Sequence, residues 1–188
     1  MRLVNSLLSR FNQLFIRPEM VAIKKFNGKR LINTRISNTT HIEGKKNINL
    51  SDHIFIGHYC FIEGSNQLAI EEGVQITNYV SVTTHSSHIS IRLYGRHYSD
   101  FTNLKGYVTG AIYIGKYTFI GPHSVIMPET CIGKGCVIQA YSYVKGDFPD
   151  FSIIGGNPAK VIGTTKDLDK NFLEQYPELE KYYNEWSK

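Results

Sequence analysis

The sequence from Ile114 to Val144 reads IGKYTFIGPHSVIMPETCIGKGCVIQAYSYV and repeats every six residues. An aliphatic residue opens each repeat: Ile114, Ile120, Ile126, Ile132, Ile138 and Val144. Four positions later comes a residue that is small in all repeats but the last: Thr118, Ser124, Thr130, Cys136, Ser142 and Phe148. Neither an α-helix nor an ordinary strand has this period, and hexapeptide repeats are typical of a parallel β-helix. A sandwich of alternating strands is the alternative that the spacing disfavours.

The spacing predicts a coil with three short strands in each turn, one repeat to a side. The aliphatic residue points inward, and the small residue lets the chain pass the corner without crowding the axis. Stacked turns then lie one strand spacing apart, about 4.8 Å. Earlier in the chain the period is weaker and slips twice: Ile36, Ile42, Ile48, Ile54, then Ile56, Ile62, then Ile70, Ile76, Val82. We therefore predict a β-helix over residues 36–150, with the extra residues at a corner.

The period stops between His85 and Gly110, where the chain reads HSSHISIRLYGRHYSDFTNLKGYVTG. A connection of this length inside a compact domain is usually functional or disordered. This one is rich in tyrosine, histidine and arginine and is not of low complexity. We predict that residues 85–111 form an ordered loop excursion with a functional role; a plain surface insertion is the alternative.

The two ends of the chain are predicted to be helical and to belong to the same single domain. An N-terminal helix within residues 1–20 has an apolar face and is ended by Pro18. It would cap the first turn, although residues 1–17 could instead rest on a membrane surface or form a subunit contact. Residues 151–188 are predicted to form a C-terminal extension whose helices are divided by Pro177 and pack against the side of the coil.

The composition restricts the class of protein. The 188 residues carry 21 basic and 16 acidic side chains, a net charge of +5 without a basic cluster, so nucleic acid is not an expected partner. Of three cysteines, Cys60 and Cys136 occupy small-residue positions, which indicates core packing in a reducing compartment. No apolar run approaches the ~20 residues that cross a bilayer, and no signal-peptide core is evident, so a cytoplasmic location is expected.

His85 is the candidate catalytic residue, because it stands where the last regular repeat ends and the excursion begins. A neutral imidazole can take the proton of a hydroxyl that attacks a thioester, which typically accelerates the reaction by about 10²- to 10⁴-fold. Three further residues of the excursion are candidates for binding a sugar or an anionic group, with loop packing as the alternative: His88, Arg92 and Tyr94. A zinc site would need three or four ligands in a fixed geometry. Only Asp100 accompanies the histidines, so no metal is expected.

Three segments together resemble a known family: the repeats, Thr84-His85 at the start of the excursion, and GGNPAKVI at residues 155–162. They are similar to the left-handed β-helix (hexapeptide-repeat) acyltransferases, in particular the maltose, galactoside and polysaccharide O-acetyltransferases, over about residues 50–163. The resemblance implies an all-β solenoid, a left-handed parallel β-helix. The left-handed sense comes from the resemblance alone, since general crossover rules favour right-handed turns.

The resemblance also implies roles for individual residues. The histidine at the place of His85 is the catalytic base, and acetyl-CoA is the acyl donor. Residues implied to contact the cofactor are Pro122, Ala140, Lys145, Gly146 and, near its phosphate end, Lys160. The asparagine that relatives often carry below the base corresponds to Gly57 here, which leaves Glu63, Glu72 or a backbone carbonyl to orient the imidazole.

Quaternary structure and function follow from the same resemblance. A homotrimer is implied, with the site between neighbouring chains, and outward Phe119, Tyr141 and Tyr143 are candidates for the contact. We expect an acetyl-CoA-dependent O-acetyltransferase that acts on a hydroxyl of a sugar or cell-surface glycan precursor by direct transfer. N-acetylation of an amino sugar and O-acetylation of an antibiotic are the enzymatic alternatives. A non-catalytic or zinc-dependent β-helix is the alternative from another class; its zinc histidines would be spread over adjacent turns, whereas here they gather in one loop.

Overall fold

A computed structural model describes residues 17–188 of the chain. Before the coil come β1 (Met20–Ala22), β2 (Lys25–Phe26) and β3 (Lys29–Arg30). The strands that follow form three parallel ladders, named A, B and C, which each turn of chain visits in that order.

Ladder A contains β4 (Arg35–Ser37), β7 (Phe55–Ile56), β10 (Gln75–Ile76), β15 (Phe119–Ile120), β17 (Val137–Ile138) and β19 (Ser152–Gly156). Ladder B contains β5 (His41–Glu43), β8 (Phe61–Glu63), β11 (Ser81–Thr83) and the first halves of β16 (Val125–Ile132) and β18 (Tyr143–Phe148). Ladder C contains β6 (Ile48–Leu50), β9 (Leu68–Ile70), β14 (Ile112–Ile114) and the second halves of β16 and β18.

The aliphatic residues of the hexapeptide period form the core, as predicted. All six that open the repeats from Ile114 to Val144 are 0% exposed. Burying each of these side chains contributes roughly 1.5–3 kcal/mol relative to exposure. The small residues are buried too, and their hydroxyls satisfy backbone carbonyls: Thr118 Oγ1 donates to Gly133 O at 3.0 Å and Ser124 Oγ to Gln139 O at 2.9 Å. The repeat therefore encodes both the inward face and the corners.

The slips in the period are absorbed at one corner, as predicted. Ile62 and Ile126 are inward residues of ladder B, and Ile70 and Ile132 are the inward residues of ladder C that follow them. The chain between Ile62 and Ile70 is longer than the chain between Ile126 and Ile132. The excursion occupies this same corner, between Val82 and Ile114. We call it the BC corner, and the one between ladders A and B the AB corner. Extra chain at the BC corner leaves the ladders in register.

The coil extends further than the predicted boundary at residue 150. Ser152–Gly156 adds another parallel strand to ladder A, with Ile153 opposite Val137 and Ile154 opposite Ile138. The period missed this strand because the last turn is short: Ile154 follows Ile138 more closely than Ile138 follows Ile120. The same shortening explains why a large residue follows Val144, since Phe148 is the inward residue opposite Ile132. β20 (Ala159–Thr164) then returns antiparallel to β19.

The C-terminal residues form two helices that contact the coil. These are α2 (Thr165–Gln175) and α3 (Glu180–Ser187), which are separated by a 3₁₀ turn at Pro177–Leu179. The label α1 belongs to the short helix Ser90–Tyr94 in the excursion. Trp186 packs between Tyr117 and Phe151, with ring centroids 4.7 and 5.8 Å away. No helix among residues 17–188 is long and apolar enough to span a bilayer.

The N-terminal segment differs from its prediction where it is described. Residues 1–16, with most of the predicted helix and its membrane or subunit contact, lie outside the described residues. Met20, the last residue of the predicted segment, begins β1, which pairs antiparallel with β4. The strand forms because the edge of ladder A offers unpaired backbone groups to the approaching chain.

Asp52 fastens the N-terminal residues to the first turns of the coil. Its carboxylate accepts hydrogen bonds from the backbone of Ile32, Asn33 and His53 at 2.7–3.0 Å and from Thr34 Oγ1 at 2.9 Å. Burial opposes the charge, but these hydrogen bonds outweigh it and hold the pKa of Asp52 well below its usual range. The carboxylate is therefore ionised at neutral pH.

We expect Asp52→Ala to lower the free energy of unfolding by about 2 kcal/mol, because hydrogen bonds to a charged group are lost and their donors are left without a partner. Urea denaturation at pH 7 measures it. Asp100→Ala, which removes an exposed carboxylate from the excursion, is the matched control and should change stability by less than about 0.5 kcal/mol. Equal effects of the two substitutions would contradict the assignment.

Candidate active site

His85 is held by the base of the excursion. It begins β12 (His85–Ser86), which pairs antiparallel with β13 (Val108–Thr109), so that His85 lies opposite Thr109. We call this two-stranded segment the neck. Next to it, the Gly110 N–H donates to the carbonyl of buried Thr84 at 3.0 Å. The rigid coil therefore fixes the backbone of the histidine where the chain leaves ladder B.

Glu63 lies one turn below the histidine and contacts its ring. Ladder B places Glu63 opposite Thr83, and Glu63 Oε2 is 3.0 Å from His85 Nδ1. The glutamate side chain is 0% exposed, whereas the imidazole is 33% exposed. Gly57 lies instead at the AB corner, beside Asn78, and Glu72 faces Lys116 at 3.9 Å. Of the partners left open by the sequence, the structure favours Glu63.

Glu63 is charged although it is buried. Burial raises its pKa, but hydrogen bonds from Ser65 and Thr84 outweigh burial and lower the pKa to about 2. The Ser65 N–H donates to Oε1 at 2.5 Å, and the Thr84 N–H and hydroxyl donate to Oε2 at 2.8 and 2.7 Å. An ionised carboxylate only accepts, so His85 Nδ1 carries the proton and donates it. In the neutral ring, Nε2 then keeps a free lone pair.

One face of the histidine ring is covered by the excursion. Tyr107 stacks on His85 with ring centroids 5.5 Å apart and planes 16° from parallel. Tyr107 also lines a cavity of about 560 Å³, which we call the loop cavity; its other walls are Tyr98, Thr102, Asn103, Leu104 and Lys105. Burial first, and then the nearby Tyr98 and Glu63, raise the pKa of the Tyr107 phenol. A polar cavity therefore adjoins the stacked pair.

The three predicted substrate-binding residues do not line this cavity. His88 Nδ1 is 2.8 Å from Ser86 Oγ, and the guanidinium of Arg92 donates to the carbonyl of His88. Tyr94 packs against Phe101 with the ring planes tilted by 52°, and it accepts a hydrogen bond from the Lys105 N–H at 3.0 Å. These contacts hold the excursion together. Tyr94 thereby supports the wall that carries Lys105.

The histidines of the excursion have separate partners. His97 Nδ1 lies 3.0 Å from Asp100 Oδ2, whereas His85 pairs with Glu63. Within residues 17–188, no group of three or more histidine, cysteine, aspartate or glutamate side chains is placed to hold a metal ion.

Four of the five predicted cofactor residues lie at the two ends of ladder B in the last turns. Pro122 and Ala140 are neighbours at the AB corner, where the N–H of Tyr141 donates to the Pro122 carbonyl at 3.0 Å. Lys145 and Gly146 lie at the BC corner; Lys145 Nζ is 3.7 Å from Glu129, and Gly146 has a φ of 109° with open space where a side chain would project. His85 is thus at the same corner as Lys145, whereas Pro122 and Ala140 are at the other end of the strands.

A second cavity, of about 640 Å³, runs along the outside of ladder C and is called the groove here. Its walls include Ala111, next to the neck, and Glu129, the partner of Lys145. The groove therefore passes beside both the neck and Glu129, the partner of Lys145. Lys160 lies apart from it, on β20 opposite Gly155.

Residues 111–146 match the family model described as bacterial transferase hexapeptide (six repeats). The chain is 30% identical over 133 residues to the dTDP-4-amino-4,6-dideoxy-D-glucose acyltransferase of Escherichia coli, covering 70% of this chain and 66% of the relative. It is 28% identical over 125 residues to the putative lipopolysaccharide biosynthesis O-acetyl transferase WbbJ of Escherichia coli K12, covering 63% and 61%.

A solved structure has a similar fold. The hexapeptide-repeat acetyltransferase VCA0836 of Vibrio cholerae, complexed with acetyl-CoA, superposes with a TM-score of 0.58 at 23% identity, over 71% of this chain and 67% of that one. The chain spans about two thirds or less of the length of the two curated relatives. The inward residues of the matched repeats are buried in the core. The chain belongs to the hexapeptide-repeat transferases, the family that its repeats and its closing GGNPAKVI segment resemble.

Proposed function

We propose that the protein is a cytoplasmic acetyl-CoA-dependent O-acetyltransferase that acetylates a hydroxyl of a saccharide, with His85 as general base. The observation that carries the proposal is the 3.0 Å contact between His85 Nδ1 and the buried, ionised Glu63. A base needs a fixed tautomer, and a carboxylate on the other ring nitrogen supplies it. The left-handed sense of the coil is part of the same proposal and rests on the family resemblance.

The transfer would proceed by direct attack in a complex of both substrates. His85 Nε2 accepts the proton of the acceptor hydroxyl while the hydroxyl oxygen bonds to the thioester carbonyl carbon. The tetrahedral intermediate collapses, the carbon–sulfur bond breaks, and the imidazolium returns the proton to the sulfur of CoA. Glu63 keeps the ring oriented and stabilises its positive charge during the intermediate. Atoms and charge balance without a metal or a covalent enzyme intermediate.

The last turns offer suitable contacts for the donor. Pro122, Ala140 and Gly146 are small or flat residues beside which the pantetheine arm can lie along exposed backbone groups. Lys145 and Lys160 supply positive charge for its phosphates. The acetyl-CoA complex of VCA0836 shows the same fold with this donor bound. We include these five residues in the proposed cofactor site.

A homotrimer is part of the proposal. His85 and the pair Pro122–Ala140 lie at opposite ends of ladder B, so one short thioester arm meets both groups most simply when they come from neighbouring chains. Exposed Phe119, at 39%, stands near this edge and suits a contact between chains.

The acceptor is proposed to be a sugar bound beside the neck. The loop cavity offers hydroxyl, amide and ammonium groups next to the Tyr107 ring that covers His85. Such groups can hydrogen-bond a polyhydroxylated ligand. The name of WbbJ places that relative in O-acetylation during lipopolysaccharide biosynthesis, which favours a cell-surface glycan precursor here. His88, Arg92 and Tyr94 remain in the proposal as residues that shape this side of the site.

Transfer of labelled acetyl from acetyl-CoA to a panel of sugars, nucleotide-linked sugars and glycan precursors tests the function. We expect turnover with at least one hydroxyl acceptor and micromolar to millimolar affinity for CoA in isothermal titration. No binding of CoA at millimolar concentration would refute the proposal.

The second candidate function is acetylation of an amino sugar. It is favoured by the name of the relative that is 30% identical, an acyltransferase for a dTDP-linked amino sugar. The same panel decides between the two if each sugar is offered as a matched hydroxyl and amino form. A neutral amine needs the base less than a hydroxyl does, so loss of His85 would harm N-acetylation less.

A further inference from the structure

A column of stacked rings runs along the AB corner. Tyr59, Tyr79, His123 and Tyr141 lie on successive turns, with ring centroids 5.2, 4.9 and 4.8 Å apart and planes within 13° of parallel. All four have a positive φ between 57° and 61°, which directs each side chain outward at the same point of its turn. The spacing follows the distance between stacked strands. The column is therefore a repeated feature of the coil.

The column ends at Tyr141 with an uncovered ring. Tyr79 and His123 each stack between two rings, whereas Tyr141 has a single ring partner among residues 17–188 and is 71% exposed. The register of ladder A gives the next place to Asn157, where the chain turns into β20. Asn157 has no ring, so the column of rings ends at Tyr141, whose 71% exposed side chain is open to a further flat ring.

A cation lies at the same end of the coil. The Gly156 N–H reaches Ser142 Oγ at 3.3 Å, which joins the end of β19 to the residue after Tyr141. Lys160 is opposite Gly155, next to that junction, and is exposed. Within the described part of the chain, no carboxylate lies within salt-bridge distance of its ammonium.

We propose that the open face of Tyr141 stacks on the base of a nucleotide-bearing substrate, one of whose phosphates lies beside Lys160, the lysine already included in the proposed cofactor site. Bases of every kind stack on aromatic side chains because each has a π-face. The inference rests on the proposed function for the source of the nucleotide. That source is either the adenosine phosphate of the acetyl-CoA donor or the nucleoside diphosphate of a nucleotide-linked acceptor.

Tyr141→Asn tests the stacking, because asparagine tolerates a positive φ and removes the ring. With the donor as source, we expect the KM for acetyl-CoA to rise about tenfold, while the KM for acetylpantetheine, which lacks the nucleotide, and kcat stay unchanged. Tyr141→Phe should behave as the wild type. Tyr59→Asn, at the other end of the same column and also at positive φ, is the matched control and should change neither constant.

Two further arms separate the sources of the nucleotide. Lys160→Met should raise the KM for acetyl-CoA more than for its analogue without the 3′-phosphate if the lysine binds that group. A rise in KM confined to a nucleotide-linked acceptor, against the free sugar, would instead identify the acceptor as the source and still support the site. Unchanged KM values for both substrates in Tyr141→Asn would overturn the inference, as would equal effects of Tyr141→Asn and Tyr59→Asn.

Binding of adenosine 3′,5′-diphosphate, measured by isothermal titration, makes the test independent of turnover. The wild type should bind it about tenfold more tightly than Tyr141→Asn, with thermal stability and oligomeric state unchanged. If no acceptor is acetylated yet this difference is found, the proposed function fails and the nucleotide site stands. A change of oligomeric state in Tyr141→Asn without a change in binding of the fragment would assign the ring to a subunit contact and overturn the site.

Discussion

His85→Ala is expected to lower kcat for acetyl transfer by a factor of about 10² to 10⁴ and to leave the affinity for CoA intact. The substitution removes the group that takes the proton of the acceptor hydroxyl, but it leaves the groove and the AB corner unchanged. The side chain is partly exposed, so its loss creates no closed cavity in the core. Steady-state kinetics with acetyl-CoA, together with titration of CoA, separate the two effects.

The chain supplies a matched control in another histidine that pairs with a glutamate. His41 Nε2 lies 2.9 Å from Glu43, on the first strand of ladder B, and both side chains are more than half exposed. His41→Ala removes the same kind of side chain and the same kind of pair, but from a strand that lies outside the excursion. Its kcat should stay within twofold of the wild type. If His85→Ala did the same, the base would lie elsewhere.

Glu63→Gln is expected to lower kcat by about 10² with little change in the KM for acetyl-CoA. The amide keeps the size of the carboxylate, but it can present its NH₂ group to Nδ1 and stabilise the wrong tautomer of His85, and it no longer balances the imidazolium charge. Glu63 is buried and contacts His85, not the substrate, so it is a positioning residue. If the role of Glu63 were purely structural, Glu63→Gln would lower the amount of folded enzyme, and the enzyme that folds would keep its kcat.

Glu43→Gln is the control for this variant, since Glu43 lies one turn below Glu63 in ladder B and also faces a histidine. It should leave kcat unchanged. A stability measurement adds a second readout, because the pKa of Glu63 falls from 4.5 to about 2 in the folded protein. Its ionised form therefore contributes stability above pH 4.5 that is lost as the pH falls towards 2. The stability difference between the wild type and Glu63→Gln should shrink over that window; a difference independent of pH would contradict an ionised Glu63.

The sequence predicted the core of the fold because a six-residue period is a local signal. Each inward residue from Ile114 to Val144 could be identified from its neighbours alone, and all of them are buried. The slips in the period could be attributed to a corner for the same reason. The last turn could not be predicted, because the chain from Ile138 to Ile154 is shorter than three repeats and so breaks the period on which the prediction depended.

The candidate site was predicted only in part for a related reason. His85 stands out in the sequence because the period stops there. Its partner Glu63 belongs to the preceding turn, and the two meet only because ladder B pairs Glu63 with Thr83, shortly before His85. The signal that would have singled out Glu63 is its position. It is an acidic residue directly after inward Ile62, one turn before the repeat that ends at His85. The resemblance gave only Gly57 at the place of the relatives' asparagine, which left Glu63 as one of three candidates, and the fold places Gly57 at another corner.

The roles of the excursion residues depend on contacts that no local pattern encodes. The sequence marks Tyr94 as a candidate for binding a sugar or an anionic group, yet its hydroxyl accepts a hydrogen bond from the backbone N–H of Lys105. Tyr107, which stacks on His85, did not stand out among the other tyrosines of the excursion. Which aromatic residue faces the histidine is decided by the pairing of the neck, and that pairing brings together the two ends of the excursion.

The double variant His85→Ala/Glu63→Gln tests most directly the claim that Glu63 acts through His85 in acetyl transfer. Once the imidazole is absent, its orientation no longer matters, so kcat of the double variant should equal that of His85→Ala within about twofold. The affinity for CoA should be the same in the wild type and all three variants. If the two losses in kcat multiply instead, to about 10⁴-fold or more, Glu63 acts independently of His85 and the proposed pair is contradicted.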